Sequence, residues 1–325
     1  MGRTLLLPAL CSAVLFYGIA DARGQTDTYP SKPVSIMTHV AAGSGPDVIA
    51  RIVADRLSHV WGKQVTIINR QGAAGLIAAQ AAANAPADGY TLYLPTVSGL
   101  IISPEIQPKF PVDLERAFRP VGHVGTTPMV ITVSSKLGVG TLAELIALAK
   151  RRPGDILYAG NNRGSFPHLT GELLRSRAGI DLTFVSYPGA AAALKDLLGG
   201  SISMLIESPS ALPGAIDGGS IKALAVSAAA RLPGFPDLPT VSETIPGFVA
   251  TGWFVLLART GMPDAVIQKV SRDLRNVLEQ SDVREKFKAL GVYAQPMSPT
   301  ETAEFIDNER RLWRPVIQGA GLITP

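Results

Sequence analysis

The chain has 325 residues, enough for about two domains of ordinary size, and its 46% hydrophobic content excludes a disordered protein. The formal net charge is +4 at pH 7, and the densest basic groups are only Lys150-Arg151-Arg152 and Arg310, Arg311 and Arg314, which we expect on solvated helix ends and faces and not in a nucleic-acid site. Cys11 is the only cysteine and lies in the first 22 residues, which excludes a thiolate metal site or a disulfide in the remaining sequence.

The first 22 residues have the features of a secretory signal peptide. Arg3 supplies a positive charge, TLLLPALCSAVLFYGIA is an apolar stretch, and Ala20-Asp21-Ala22 has the A-x-A form of a cleavage site. The sequence therefore predicts export to the periplasm with cleavage near Ala22. An uncleaved membrane anchor stays an alternative, because the apolar stretch is slightly long for a signal peptide.

Four predicted strands are each followed by small residues and then by a predicted helix. The strands are VSIMT (34–38), QVTIIN (64–69), DILYAG (155–160) and LTFVSY (182–187). Such alternation predicts βαβ units and a mostly parallel sheet. The loops then lie at the carboxyl ends of the strands, where open α/β sheets bind ligands.

Proline and polar residues mark the starts of several helices. Pro46, Pro167 and Pro188 are predicted at or near the first position of three of the helices that follow these loops. Further on, Ser298 and Glu301 form a capping box for a helix that is expected to bury Ile306, Trp313, Val316 and Ile317. Before it, helices are predicted over 263–280 and 281–291.

Three segments are candidates for crossings between two domains. They are the apolar segments PMVITV (128–133) and WFVLLA (253–258) and the proline-rich connector RLPGFPDLPT (231–240). Two crossings would make one domain discontinuous.

The glycine loop GSGPDV (43–48) does not fit a dinucleotide site. Val48 stands where the fingerprint needs Gly or Ala, and the next strand ends in Asn69 and Arg70 and not in an acidic residue. The sequence also contains no P-loop and no G-x-S-x-G elbow, and its four histidines lack metal-ligand spacing. We therefore expect no catalytic residue, metal or cofactor.

A small carboxylate is the remaining anion for this loop, because a helix N-terminus offers N–H donors and a partial positive charge. Asp47 either stabilises the helix N-terminus or orients a water or a ligand donor. His168 either meets the ligand or caps and packs the helix.

Six segments, in order, resemble the Bug or TctC-like substrate-binding proteins of tripartite tricarboxylate transporters. They are YPSKPVSIMTHVAAGSGPDVIAR, NRQGAAGLIAAQAAANAPADGYTLYL, YAGNNRGSFPHLTGELL, VSYPGAAAALKDLLGGSISMLI, GGSIKALAVSAAARLPGFPDLPTVSE and PGFVATGWFVLLARTGMP. The resemblance implies an α/β, two-lobed periplasmic-binding-protein type II fold with two crossover segments. It also implies a monomer that captures a small carboxylate and delivers it to the membrane subunits of the transporter.

The resemblance also implies lobe boundaries and binding residues. Lobe 1 would comprise 27–127 and 249–325, and lobe 2 would comprise 128–248. The implied ligand-binding residues are Ala42, Gly43, Ser44 and Asp47 in the first loop, Gly164, Ser165 and His168 in the facing loop, and Thr96, Ser98, Tyr187, Gly189 and Glu207 at other strand ends.

The sequence departs from the family pattern at two places. His39 and Val40 stand where the family usually has Pro and Phe, which changes the expected pocket wall, and Pro188 replaces a common Lys. The ligand therefore stays open among mono-, di- and tricarboxylates, aromatic acids and amino acids.

Two rival functions stay open. One is an exported hydrolase or isomerase on the same architecture, for which Ser165, His168 and Asp47 are the candidate residues. The other is an accessory protein that presents a ligand to a sensor.

Overall fold

The computed structural model describes residues 29–107, 110, 112–212, 216 and 218–323. The predicted signal peptide lies outside these residues. The described chain forms one six-stranded and one five-stranded sheet, each covered by helices.

The six-stranded sheet takes its strands from both ends of the described chain. These are β1 (Val34–Thr38), β2 (Val65–Asn69), β3 (Thr91–Tyr93), β4 (Phe118–Pro128), β10 (Thr251–Arg259) and β11 (Tyr293–Ala294). Their order is β11-β4-β10-β3-β1-β2. Strand β1 is parallel to β2 and β3, and β10 is antiparallel to β3 and β4.

The five-stranded sheet is built from the middle of the chain. Its strands are β5 (Val130–Ser134), β6 (Leu157–Ala159), β7 (Thr183–Val185), β8 (Met204–Glu207) and β9 (Ile221–Val226). Their order is β7-β6-β8-β5-β9, with β6 parallel to β7 and β8. The predicted parallel βαβ units are therefore present in both sheets, each extended by antiparallel strands.

Seven of the described helices fall where the sequence patterns predict them, and three are additional. The helices are α1 (Gly45–Trp61), α2 (Leu76–Ala83), α3 (Ser103–Ile106), α4 (Leu114–Ala117), α5 (Leu142–Arg151), α6 (Phe166–Ala178), α7 (Ala190–Gly199), α8 (Asp264–Glu279), α9 (Ser281–Ala289) and α10 (Pro299–Gly319). The additional three are α3, α4 and α5. Pro46 and Pro167 are the second residues of α1 and α6, whereas Pro188 precedes the N-cap Gly189 of α7 and stands outside the helix. Among the described helices, none is both long and apolar enough to cross a bilayer.

The chain passes between the two sheets twice, and Ser227 joins the two crossings. The first crossing is at Met129, whose N–H donates to Ser227 Oγ at 2.8 Å and whose carbonyl accepts the Ser227 N–H at 2.8 Å. The second runs from residue 227 to 250, and the Ala250 N–H donates to the Ser227 carbonyl at 2.9 Å. The apolar segment 253–258 lies within β10, which follows this crossing.

The C-terminal helix α10 contacts both sheet layers. Its capping box at Ser298 is present, and it packs against β4 and against α6. Trp313 on α10 is fully buried and meets Phe166 of α6 edge-on, with ring centroids 5.2 Å apart. Glu309 Oε2 accepts the indole N–H of Trp313 at 2.9 Å and that of Trp253 on β10 at 2.7 Å. One carboxylate therefore links the C-terminal helix to the strand that follows the second crossing.

We expect Glu309→Leu to lower the free energy of unfolding by about 2 kcal/mol, because it leaves two buried indole N–H groups without an acceptor. Glu309→Gln keeps an acceptor oxygen and should lose less than about 1 kcal/mol. Urea unfolding followed by circular dichroism measures both. Glu304→Gln, at an exposed position on the same helix, is the control. Equal losses for the two Glu309 variants would contradict this role.

Candidate ligand-binding cleft

A cavity of about 330 Å³ lies between the two sheets. This volume is within the range of about 300–1,000 Å³ that small-molecule sites occupy. Residues from both sides of the crossings line it, including Gly45, Pro46, Thr96, Ser98 and Trp253 on one side and Asn161, Ser165, Pro167, Glu207 and Ser208 on the other.

Two loops of the same construction reach this cavity from opposite sides. They are 43–47 (GSGPD), which leads into α1, and 164–168 (GSFPH), which leads into α6. Gly43 and Gly164 have φ values of +79° and +80°, a backbone conformation that favours glycine. The serine that follows is an extended N-cap in both loops, and the proline is the second helical residue in both. The sequence pattern thus repeats one device in the two halves of the molecule.

Asp47 holds the first loop in place. Its Oδ2 accepts the Gly43 N–H and the Arg51 Nε–H, both at 2.8 Å, and its Oδ1 accepts the Asn69 side-chain amide at 2.8 Å. Burial opposes ionisation, but these hydrogen bonds and the Arg51 charge outweigh it and lower the pKa of Asp47. Asp47 is fully buried and both its oxygens bind protein groups, so its contacts support the loop and not a ligand.

His168 holds the second loop in the same way. Its Nδ1 accepts the Gly164 N–H at 3.0 Å, and its side chain is buried. Burial lowers the pKa of His168 to about 4, with Glu172 opposing the change from 3.6 Å. The imidazole is therefore neutral at pH 7, as an acceptor at Nδ1 requires.

The two helix N-termini share this one cavity. Gly45 and Pro46 line it from α1, and Phe166 and Pro167 line it from α6. The first N–H groups of a helix have no partner within the helix, and the helix dipole makes this end partly positive. The arrangement can bind a small anion without a cationic side chain.

The structure divides the predicted site residues into three groups. Those lining the cavity are Thr96, Ser98, Ser165 and Glu207. Those that shape the two loops through hydrogen bonds, without lining the cavity, are Gly43, Asp47, Gly164 and His168. Those that are outside the cavity lining are Ala42, Ser44, Tyr187 and Gly189.

The last group has other contacts. Ala42 is exposed, and Ser44 Oγ donates to the Ala41 carbonyl at 2.6 Å as part of the first loop. The Tyr187 hydroxyl donates to Asp196 on α7 at 2.7 Å. Tyr187 therefore uses its polar atom within the second lobe.

His39 acts on the cavity wall through Thr96. Its Nε2 lies 3.3 Å from Thr96 Oγ1, and its ring fills the space beside Gly99, where a Cβ would stand 2.6 Å from the ring. Burial lowers the pKa of His39 to about 4. At position 39, where the sequence departs from the family pattern, a neutral histidine thus contacts Thr96 in the cavity wall.

Some cavity residues were not predicted. Asn161, Ser208, Trp253 and Phe254 line the cavity. Asn161 begins the segment NNRGSFP (161–167) and has a φ of +33°, which is uncommon for a residue other than glycine. Asn161 could have been predicted, because it directly follows the predicted strand 155–160. Trp253 could not, because its apolar segment indicates only a buried strand.

The residues of the rival hydrolase do not form a catalytic set. Ser165 Oγ donates to the Gly160 carbonyl at 3.1 Å and accepts the backbone N–H of His168. The His168 imidazole contacts the Gly164 N–H, and Asp47 contacts Arg51 on the other side of the cavity. Within the part of the chain that the structure describes, no group of three or more His, Cys, Asp or Glu could hold a metal ion.

Two α/β lobes, two crossings and a cavity between the lobes with a helix N-terminus on either side define a solute-binding protein of the two-lobed periplasmic type. The chain belongs to the TctC family, described as the tripartite tricarboxylate transporter family receptor, whose sequence model matches residues 49–322. The resemblance seen in the sequence is thereby confirmed.

Known relatives and solved structures agree with this family. Protein BugT of Bordetella pertussis is 35% identical over 323 residues and covers 99% of both chains. A solved R. palustris protein with adipate has a TM-score of 0.77 at 30% identity, covering 90% of this chain and 98% of its own. MatC from Rhodopseudomonas palustris with bound malate has a TM-score of 0.73 at 26% identity, covering 89% and 100%.

We expect the stability of the protein to fall as the pH drops from about 6.5 towards 4. The folded state keeps His168 neutral down to a pKa of about 4, whereas the unfolded chain takes up this proton near pH 6.5. The unfolded state therefore binds more protons between pH 4 and 6.5, so the free energy of unfolding rises with pH in this interval and levels off above about pH 6.5. His39 and His123, with pKa values also lowered to about 4, add to the same trend.

In His168→Gln, the slope of unfolding free energy against pH between 4 and 6.5 should decrease by up to about 1.4 kcal/mol per pH unit. Urea titrations at a series of pH values measure this slope. His59→Gln, at an exposed position on α1, is the control. An unchanged slope in the His168 variant would contradict a buried, neutral imidazole.

Proposed function

We propose that this protein captures a small organic carboxylate between its lobes and delivers it to the membrane subunits of a tripartite tricarboxylate-type transporter. The observation that carries the proposal is the meeting of two helix N-termini, from α1 and α6, in one cavity. Each end offers N–H donors to a carboxylate oxygen. Membership of the TctC family supports the same function.

The energetics of the cavity are adequate for this role. Micromolar binding corresponds to about 8 kcal/mol, and a partly buried helix N-terminus contributes up to about 2 kcal/mol towards an anion. Apolar side chains in the lining, such as Phe166, Trp253 and Leu290, add buried surface for a carbon chain. Relatives solved with adipate and with malate bind acids of this size.

Lobe 1 would comprise 27–127 and 249–325, and lobe 2 would comprise 128–248. The distribution of strands supports these boundaries, because β4 ends at Pro128 and β10 begins at Thr251. The crossings joined by Ser227 are the hinge of the proposed closure, and closure around a ligand gives the membrane partner a distinct surface. We also propose that the protein acts in the periplasm, as a monomer and without catalysing a reaction, and membership of the TctC family supports this location.

Adipate and malate, each compared with its dimethyl ester, test the carboxylate function. We expect the acids to raise the melting temperature of the protein, because a ligand that binds the folded state stabilises it. The esters should bind at least tenfold more weakly by calorimetry, because they lack the charge that a helix N-terminus favours. Equal affinity of acid and ester would overturn carboxylate recognition.

Gly43→Val should reduce the affinity for the acid at least tenfold, because a β-branched residue cannot keep the φ of +79° that shapes the loop. Gly62→Val is a matched control, since Gly62 has a φ of +59° at the opposite end of α1 and its Cβ would also meet open space. Both variants should lose about 1–3 kcal/mol of stability. A loss of affinity shared by both variants would contradict a specific role of the first loop.

A further inference from the structure

Glu207 is the ionisable residue of the cavity. It ends β8, lines the cavity and is only 7% exposed. Its Oε1 accepts the Ser208 N–H at 2.7 Å, whereas its buried Oε2 has no hydrogen-bond partner among the described residues. A buried acceptor without a partner destabilises a protein unless another group supplies a donor.

Asn161 adds a second acceptor next to Glu207. Strands β6 and β8 are parallel neighbours with Ala159 paired to Leu205, and Asn161 and Glu207 each stand two residues beyond this pair. Both line the cavity, and the buried Asn161 Oδ1 also has no hydrogen-bond partner among the described residues. The Asn161 amide nitrogen donates towards the Glu207 carboxyl, and the two remaining oxygens, Asn161 Oδ1 and Glu207 Oε2, can accept a donor from a bound molecule.

The rest of the lining supplies no positive charge to this place. Of the described residues that line the cavity, Glu207 alone has an ionisable side chain, and no Lys or Arg is among them. A carboxylate at this end of a ligand would therefore face Glu207 without a compensating cation. An amine or a hydroxyl would instead donate to it.

We propose that the ligand is an organic acid with two different ends: a carboxylate at the helix N-termini and a hydrogen-bond donor, amine or hydroxyl, at Glu207 and Asn161. This inference rests on the proposed carboxylate function and adds the class of acid to it. Glu207 and Asn161 are then specificity residues, which select against a second carboxylate.

The ionisation of Glu207 agrees with such a partner. Burial raises the pKa of its carboxyl, and hydrogen bonding from the Ser208 N–H and from the Ser208 and Asn161 side chains lowers it in part. A donor from the ligand favours the ionised form and removes the remaining penalty. A site built to bind a donor also rejects the analogue that lacks it, because its own polar atoms would then stay unpaired.

Two series of acids of equal length test the inference by calorimetry. The four-carbon series is butanoate, 4-hydroxybutanoate, 4-aminobutanoate and butanedioate, and the six-carbon series is hexanoate, 6-hydroxyhexanoate, 6-aminohexanoate and adipate. In at least one series, we expect the amine- or hydroxyl-ended acid to bind at least tenfold more tightly than both the methyl-ended acid and the diacid. Comparison of the amine with the hydroxyl identifies the donor.

Glu207→Gln removes the charge but keeps an acceptor oxygen. We expect it to reduce the preference for the amine over the diacid to below threefold, while a preference for the hydroxyl over the methyl end persists. Asn161→Ala should weaken the donor-ended acids and leave the methyl-ended acid within threefold. Glu304→Gln, on the exposed side of α10, controls for a general change of charge.

The outcomes separate the two proposals. Tightest binding of a diacid or a methyl-ended acid overturns the donor inference but keeps the carboxylate function, and so does a ranking that Glu207→Gln leaves unchanged. If no acid of either series binds at millimolar concentration, the carboxylate function fails and this inference fails with it.

Discussion

The proposed site depends on backbone N–H groups at two helix N-termini, because no Lys or Arg is among the described residues that line the cavity. Such donors are useful only if their loops are held still, and a polar side chain four residues after each glycine does this. Asp47 fixes Gly43, and His168 fixes Gly164. An ionised carboxylate and a neutral imidazole can both hold such a loop, because accepting the glycine N–H requires only one acceptor atom. The loops owe their shape to side chains that lie outside the cavity lining.

Specific side-chain hydrogen bonds also hold the connection between the lobes. Ser227 hydrogen bonds to residues of both crossings, and Glu309 binds the indoles of Trp253 and Trp313. Trp253 also lines the cavity, while Trp313 packs on Phe166 at the start of α6. The C-terminal helix therefore touches the cavity wall, the strand after the second crossing and the facing lobe.

Local patterns in the sequence were enough to predict most of the fold. Glycine and proline mark the ends of short apolar strands, so the βαβ units and the capping box at Ser298 could be placed before the structure was known. Long-range pairing was not accessible in this way. Ser227 meets Met129 across 98 residues, a contact that no local pattern predicts. Glu207 was included through the family resemblance, but its neighbour Asn161 follows from the register of β6 beside β8.

The convergence of α1 and α6 also affects the empty protein. Each helix brings a partial positive charge, equivalent to about half an elementary charge, to the same small space. Without an anion between them, the two ends repel each other as the lobes approach. If the lobes close as proposed above, closure without cargo is thereby disfavoured, and the proposed membrane partner meets fewer receptors that carry nothing.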